Sequence, residues 1–301
     1  MNLVERIREL KKQKRAVILA HNYQLPEIQD AADYLGDSLG LSIKASETDA
    51  DIIVFCGVKF MAQTAKMLSP DKLVLLPDID AGCPMADMIT ASELETLKFT
   101  HPDAKVLCYV NTSAEVKAYS DICCTSANSV KIVRKAFLKE DEVIFVPDKN
   151  LALYTKRETG RDFIIWDGYC PIHADITEEN VERARREHPD ADLIVHPECS
   201  PEVIDLADGV YSTSGMSRYV KESDKESFII GTEVGMLYRL KEDNPQKEFY
   251  PLSEKAVCLD MKKITLERLL SSLEDESGSI ELEVEIVERA KGSIDRMLKY
   301  R

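Results

Sequence analysis

The sequence predicts an α/β fold in which three similar αβα units, Rossmann-like with parallel sheets, are arranged with pseudo-threefold symmetry around a central site. Short apolar runs without alternation are separated by helical stretches, a pattern typical of buried parallel strands. The tetrapeptide HPDA occurs at residues 101–104 and again 87 positions later at 188–191, each time ahead of an apolar run. A chain of 301 residues has room for three such units.

Each unit is predicted to contain three strands that end in polar residues. These are AVILAHN, DIIVFCG and KLVLLPD in the first unit, KVLCYVN, DICCTSA and EVIFVPD in the second, and DLIVHPE, GVYSTSG and SFIIGTE in the third. We expect the units to cover residues 1–87, 88–174 and 175–262, with C-terminal helices in 263–301 packing back on the body. Ligands bind at the carboxyl ends of parallel strands, so nine strand ends are expected to meet at the central site.

Polar residues of different chemistry lie at matched strand ends. The spacing of 87 or 88 residues aligns two sets of three, His21 with Tyr109 and His196, and Tyr23 with Asn111 and Glu198. An imidazole beside a phenol or a carboxylate can form an acid/base pair, because imidazole titrates nearest neutrality. A single loop histidine is more often a satisfied polar residue, but two at matched positions favour an acid/base site. We expect Glu198 to pair with a histidine or with a substrate imine.

Three of the eight cysteines also lie at equivalent points of the three units. Cys83, Cys170 and Cys258 follow the aligned strand ends by 62, 61 and 62 residues, and the first two precede proline. Three thiolates meeting near one axis suit an iron–sulfur cluster in which one iron has no protein ligand. The alternative is burial as small hydrophobes, the commonest fate of free cysteine. The remaining cysteines lack threefold partners and are predicted to be core residues: Cys56, Cys108, Cys123, Cys124 and Cys199.

Other polar residues near these positions are weaker candidates. His173 follows Cys170 by three residues and is predicted either to orient a cluster or substrate or to cap a loop. The segments TSANS, from Thr125, and STSGMS, from Ser212, each follow a strand and open a helix. Hydroxyls and free backbone N–H groups at a helix N-terminus can bind phosphate or carboxylate, although ordinary N-capping gives the same pattern.

Charge and hydropathy exclude two classes of partner. The net charge is −15 and there is no long basic run, so nucleic acid is not expected to bind. The first residues are charged, and no later run approaches the roughly 18 apolar residues that a membrane span needs. We therefore expect a cytoplasmic protein without a membrane partner.

Taken together, the motifs resemble those of the quinolinate synthase family of NAD biosynthesis over about residues 16–265. The motifs are AHNYQ, GDSLGLS, FCGVKFMAQTAK, DAGCPMAD, YVNTSAE, CCTSAN, GYCPIH, HPEC, YSTSGM, GTEVGM and CLDMKKIT. The resemblance implies a transferase that condenses iminoaspartate with dihydroxyacetone phosphate to quinolinate, with loss of phosphate and two waters. It also implies functional coupling to an aspartate-oxidising enzyme that supplies the unstable imine.

The resemblance further implies one central 4Fe-4S cluster whose open iron acts as a Lewis acid, with Cys83, Cys170 and Cys258 as its three protein ligands. As groups that can transfer protons or orient the substrate, the predicted catalytic residues are His21, Tyr23, Tyr109, His173, His196 and Glu198. The substrate contacts implied by the resemblance are His21, Ser38, Tyr109, Val110, Asn111, Ser126, His196, Pro197, Glu198 and Thr213. The hydroxyl-rich start of the STSGMS segment adds Ser212 as a predicted substrate contact.

Two other functions fit parts of the sequence. A (β/α)₈-barrel aldolase or isomerase acting on a sugar phosphate would suit the length and the alternation of strands and helices, but three equivalent units of three strands do not divide into eight. A non-catalytic iron–sulfur sensor would explain the three cysteines. It would give no reason for two hydroxyl-rich helix starts facing the same site.

Overall fold

A computed structural model describes residues 2–300, and within this range it contains twelve strands in three four-stranded sheets, together with fifteen α-helices. The strands are β1 Ala16–His21, β2 Tyr34–Gly36, β3 Ile52–Cys56, β4 Leu73–Leu75, β5 Lys105–Tyr109, β6 Ile122–Cys124, β7 Val143–Val146, β8 Ile164–Ile165, β9 Asp192–Val195, β10 Gly209–Val210, β11 Ser227–Gly231 and β12 Glu248–Pro251. The helices are α1 Leu3–Gln13, α2 Pro26–Ala31, α3 Ser38–Glu47, α4 Lys59–Leu68, α5 Ala91–Thr100, α6 Ala114–Ala118, α7 Ser129–Ile132, α8 Lys149–Thr159, α9 Pro171–Ala174, α10 Glu178–Glu187, α11 Pro201–Asp205, α12 Thr213–Glu222, α13 Met236–Asp243, α14 Leu266–Asp275 and α15 Val284–Leu298.

The three sheets have the same topology. Their strand orders are β2-β1-β3-β4, β6-β5-β7-β8 and β10-β9-β11-β12, and the paired strands run parallel in each. A helix precedes each strand, so every unit follows the same α/β alternation. The predicted fold class of three similar α/β units is confirmed. One sheet lies within each expected range, but the unit boundaries themselves remain predictions.

The prediction of three strands per unit is wrong, because each sheet has a fourth strand. The unpredicted strands are β2, β8 and β12. All three lie at a sheet edge, where a strand has one neighbour, and most of their residues are partly or fully exposed. Edge strands of this kind do not need a continuous apolar run, so the apolar pattern did not reveal them.

The sequence repeat is also a repeat of individual contacts. Asp33, Asp121 and Asp208, spaced by 88 and 87 residues, each accept a backbone N–H from the first strand of their unit at 2.8 Å. The helix before that strand begins each time with a capping box, at Asn2, Thr90 and Thr177, again 88 and 87 residues apart. The units therefore share local backbone geometry as well as element order.

The interior agrees with the predicted core. The five cysteines without threefold partners are buried. Of the two C-terminal helices, α14 packs against α1, and α15 packs against α4, α6 and β6. One large apolar cluster joins the first two units to these helices and part of the third, and a smaller one lies within the third unit. Over residues 2–300, no helix combines the length and apolar character needed to cross a bilayer.

Candidate functional site

A cavity of about 270 Å³ lies where strand ends and loops of all three units meet. Thirteen of the sixteen predicted site residues line it: His21, Tyr23, Ser38, Cys83, Tyr109, Asn111, Ser126, Cys170, His173, His196, Glu198, Thr213 and Cys258. The other three are buried beside it. Val110 donates its backbone N–H to Cys124, Pro197 lies between two lining residues, and Ser212 caps α12 by accepting from Gly215. The structure thus gathers the predicted set at one place.

The aligned strand ends occupy equivalent positions in their sheets. In each unit, the residue just before the aligned position of His21, Tyr109 or His196 pairs with the last residue of the unit's third strand. These residues are Ala20, Cys108 and Val195. In the first and third units the backbone N–H two residues after the histidine donates to its Nδ1. The distance is 3.2 Å from Tyr23 to His21 and 3.3 Å from Glu198 to His196. A neutral imidazole held this way carries its proton on Nε2.

The three predicted cysteine ligands lie on equivalent loops. In each unit, the backbone carbonyl two residues before the cysteine accepts the N–H of the residue three positions after the end of the third strand. The donors and acceptors are Lys59 and Ala81 at 2.8 Å, Lys149 and Gly168 at 2.8 Å, and Val234 and Ala256 at 3.0 Å. All eight cysteines are free. Cys83, Cys170 and Cys258 are partly exposed and line the cavity, whereas the other five are buried.

A buried chain of hydrogen bonds joins the two phenols of the cavity. Tyr109 donates to one carboxylate oxygen of Glu198, and His173 Nδ1 lies 2.8 Å from the other. His173 Nδ1 is also 3.2 Å from Cys170 Sγ, but a carboxylate is the stronger acceptor, so the Nδ1–H donates to Glu198. The chain continues through Thr232 Oγ1, which is 2.8 Å from His173 Nε2 and 2.6 Å from the Tyr23 hydroxyl.

Hydroxyl and amide groups form another part of the lining. Ser38 and Thr213 are the first residues of α3 and α12, and the Thr213 hydroxyl accepts from Asn22 Nδ2 at 2.8 Å. Ser126 lies 3.1 Å from His196 Nε2. The buried Asn111 Oδ1 has no hydrogen-bond partner within residues 2–300. These groups can bind the carboxylates or the phosphate of an anionic ligand.

Known proteins share this sequence along almost its whole length. Residues 5–299 match the family model described as Quinolinate synthetase A protein, NadA. The chain belongs to the quinolinate synthase family. The family resemblance stated from the motifs is thereby confirmed, and its members are enzymes.

Several quinolinate synthases illustrate the similarity. That of Dehalococcoides mccartyi strain CBDB1 is 54% identical over 294 residues, covering 98% of this chain and 97% of the relative. That of Methanoregula boonei is 54% identical over 296 residues, with the same two coverages. That of Alkaliphilus metalliredigens is 51% identical over 301 residues, covering 100% of this chain and 99% of the relative.

The protonation of the site differs from the expectation that its histidines titrate near neutrality. Burial lowers the pKa of His21 and of His196 to about 3, although the Glu198 carboxylate opposes the shift. Burial also acts to raise the pKa of Glu198, but His173, His196 and the Tyr109 hydrogen bond outweigh it and hold this pKa at about 2. Two neutral imidazoles therefore face an ionised carboxylate at pH 7.

The phenols and thiols of the cavity are neutral in the protein chain itself. Burial, followed by the charge of Glu198, raises the pKa of Tyr23 and of Tyr109 well above the ordinary value. Burial likewise raises the pKa of the Cys83 thiol to about 12, and it raises the pKa values of Cys170 and Cys258. Both phenols are thus hydrogen-bond donors, and the thiols need a neighbouring cation to ionise.

One set of side chains is close enough to hold a metal ion. Ligand atoms of Cys170, His173 and Glu198 all lie within 4.8 Å of one another. This set combines one predicted cluster ligand with two predicted catalytic residues. A soft thiolate and an imidazole in one group are donors that suit iron or zinc.

Sequence reasoning did not single out three residues of the site. Thr232 and Glu233 end the predicted strand SFIIGTE, and Lys262 lies in CLDMKKIT. Lys262 Nζ is 2.9 Å from Glu233 Oε1 and also donates to the Tyr23 carbonyl. The position of Thr232 and Glu233 directly after β11 is the signal that could have found them, because polar residues at the carboxyl ends of parallel strands face the site.

Proposed function

We propose that the protein condenses iminoaspartate with dihydroxyacetone phosphate to quinolinate, with release of one phosphate and two waters. One carbon–carbon and one carbon–nitrogen bond form. The carbon–oxygen bond to phosphate breaks, and two further carbon–oxygen bonds break as the ketone and hydroxyl oxygens of dihydroxyacetone phosphate leave in the two waters. The observation that carries the proposal is the cavity in which three partly exposed cysteines from equivalent loops face a ring of imidazole, phenol, carboxylate and hydroxyl groups. Family membership supports the same reaction.

We assign Cys83, Cys170 and Cys258 as ligands of a 4Fe-4S cluster. They fit such a group because they are free, partly exposed and located on one equivalent loop in each unit. When bound, the cluster supplies iron charge that ionises the thiols and, at the iron without a protein ligand, a Lewis acid for an oxygen of the substrate.

Anionic substrates need local positive or N–H-rich groups in a chain of net charge −15. The N-termini of α3 and α12 supply backbone N–H groups, and Ser38, Ser126 and Thr213 supply hydroxyls. Asn111 adds an unpaired buried amide oxygen that can accept from the imine N–H. We assign these residues, with His21 and His196, to binding of the iminoaspartate carboxylates and imine.

We assign the proton transfers of the reaction to the side chains that are hydrogen-bonded to one another through Glu198. We assign Glu198 as the base of this set, because its lowered pKa leaves the carboxylate ionised at pH 7 and it contacts both Tyr109 and His173. Tyr109 and Tyr23 keep their phenol protons and can donate them to developing oxyanions. His173 and Thr232 connect the two phenols through Glu198.

Iminoaspartate hydrolyses readily in water, so its supply belongs to the same proposal. An aspartate-oxidising enzyme in the same compartment, which we take to be the cytoplasm, would provide the imine. Co-assay with such an enzyme is therefore the appropriate measure of turnover.

The decisive experiment is anaerobic purification followed by iron, sulfide and absorbance analysis of wild type and single cysteine variants. Wild type is expected to contain four iron and four sulfide per chain. Cys83→Ala, Cys170→Ala and Cys258→Ala should each lose the cluster and the formation of quinolinate, whereas the buried-cysteine control Cys124→Ala should keep both. An iron-free wild type that produces quinolinate would contradict the cluster assignment.

The same measurement tests a single metal ion at Cys170, His173 and Glu198. That alternative predicts one metal and no sulfide per chain. It also predicts that Cys83→Ala and Cys258→Ala retain the ion.

A further inference from the structure

The residue two positions after the end of the third strand is equivalent in the three units. These positions are Val58, Asp148 and Glu233, after β3, β7 and β11. Their equivalence rests on a shared contact, because the next residue in each unit donates its N–H to the carbonyl two residues before the predicted cysteine ligand. Each position therefore lies against the loop that carries a cysteine.

Glu233 makes direct contact with the Cys258 loop. Its side chain is fully buried, and Oε1 accepts the backbone N–H of Cys258 at 3.1 Å. The other oxygen, Oε2, accepts the N–H of Gly235 at 2.7 Å. Lys262 Nζ lies 2.9 Å from Oε1 and 3.1 Å from Oε2. Both oxygens are thus satisfied, and one of them holds the amide of a predicted cluster ligand.

Lys262 connects the same point to the first unit. Its ammonium group donates to the backbone carbonyl of Tyr23 as well as to Glu233. Gly235 makes room for this arrangement. A Cβ there would lie 2.8 Å from Glu233 Oε2, from Lys262 Nζ and from the Tyr23 carbonyl oxygen. The ion pair therefore fixes the Cys258 loop relative to the loop of a cavity phenol.

The second unit has a related carboxylate and the first has none. Asp148 is fully buried and accepts the N–H of Leu151 at 2.7 Å, and within residues 2–300 its Oδ2 has no hydrogen-bond partner. Val58 has no polar side-chain atom. A buried ion pair is weak evidence of a stabilising role, because desolvation offsets the attraction between the charges. The contact with a ligand amide points instead to positioning.

We propose that Glu233, with Lys262 as its counter-ion, is a positioning residue that fixes the Cys258 loop and so the direction of the Cys258 thiolate toward the cluster. The inference rests on the proposed function, since it needs the cluster. Partners that orient metal ligands typically contribute 10- to 100-fold in metal affinity. The role is distinct from catalysis, because Glu233 acts through the cysteine loop.

The test is the rate at which an iron chelator removes the cluster from anaerobically purified protein, followed by absorbance. Glu233→Gln places an amide donor against the donors of Gly235 and Lys262, and Lys262→Met leaves the carboxylate unpaired. Both variants are expected to lose the cluster roughly 10- to 100-fold faster than wild type. A changed electron paramagnetic resonance spectrum of the reduced cluster should accompany the faster loss.

Asp208→Asn is the matched control. Asp208 also accepts a backbone N–H, from Leu193 at 2.8 Å, and pairs with a cation, Arg185 at 3.0 Å, but it does not line the cavity. It is expected to lose its cluster at the wild-type rate. Chelation at the wild-type rate in both Glu233→Gln and Lys262→Met would overturn the positioning role.

If a single variant does not fold, the double variant Glu233→Gln/Lys262→Met removes both charges of the ion pair and is measured in the same way. A wild-type rate in the double variant would also overturn the role. A wild type without iron and sulfide would instead overturn the proposed function, and the positioning role with it. The two failures are therefore distinguishable.

Discussion

The first and third units end their first strands with the same backbone and different chemistry. In both, a histidine accepts an N–H from the residue two positions on, at 3.2 Å in the first unit and 3.3 Å in the third. In the first unit that residue is Tyr23, a neutral phenol bound to Thr232. In the third it is Glu198, an ionised carboxylate bound to Tyr109 and His173. The comparison shows that a repeated backbone can present unlike side chains to one asymmetric site.

The largest expected effect comes from removing the charge that distinguishes the third unit. Glu198→Gln should lower kcat by roughly 10²- to 10⁴-fold, the range of a general acid or base, while iron and sulfide content stays at the wild-type value. Steady-state assay of quinolinate formation, with metal analysis of the same samples, checks this. Full turnover in Glu198→Gln would show that Glu198 is not the base.

A smaller effect should follow from cutting the link between the two units at Thr232. Thr232→Val keeps the shape of the side chain and removes the hydroxyl between Tyr23 and His173, so kcat should fall roughly tenfold, the worth of one buried hydrogen bond. Thr232→Ser restores a hydroxyl and should recover most of the rate. Equal rates in the Val and Ser variants would contradict a role for the hydroxyl.

Substitutions in the capping boxes test the backbone geometry that the units share. Thr90→Ala and Thr177→Ala remove equivalent N-caps in the second and third units. Each should lower the free energy of unfolding by about 1 kcal/mol without changing kcat. Denaturant unfolding of the purified proteins measures the loss. Unequal losses would mean that the two helices depend differently on packing.

The smallest expected effect is on the shape of the pH profile of kcat/KM. His21 and His196 have pKa values lowered to about 3 by burial, so neither gains a proton as pH falls from 8 to 5.5. His21→Gln and His196→Gln should therefore leave the shape of the profile unchanged over that range, even where loss of a substrate contact lowers kcat/KM at every pH. Loss of an acidic limb in either variant would show that the replaced histidine titrates there.

Much of the site could be predicted because the repeat fixes which residues are equivalent. The spacing of 87 and 88 residues aligned the strand-end histidines and the three cysteines, and the structure places them at equivalent points around one cavity. Lys262 could not be predicted in the same way. It belongs to no aligned set, and its partners Glu233 and Tyr23 are 29 and 239 residues away in sequence.

The sequence by itself determined the three α/β units, the family and the candidate ligands, because periodicity, repeat spacing and residue type can be read along the chain without knowledge of distances in space. Only the tertiary structure decided the charges of the site. Burial among the three units lowers the pKa values of two histidines that titrate near neutrality in water, and contacts between units hold Glu198 ionised. Desolvation and electrostatic interaction depend on distances in space, which residue spacing along a strand does not specify.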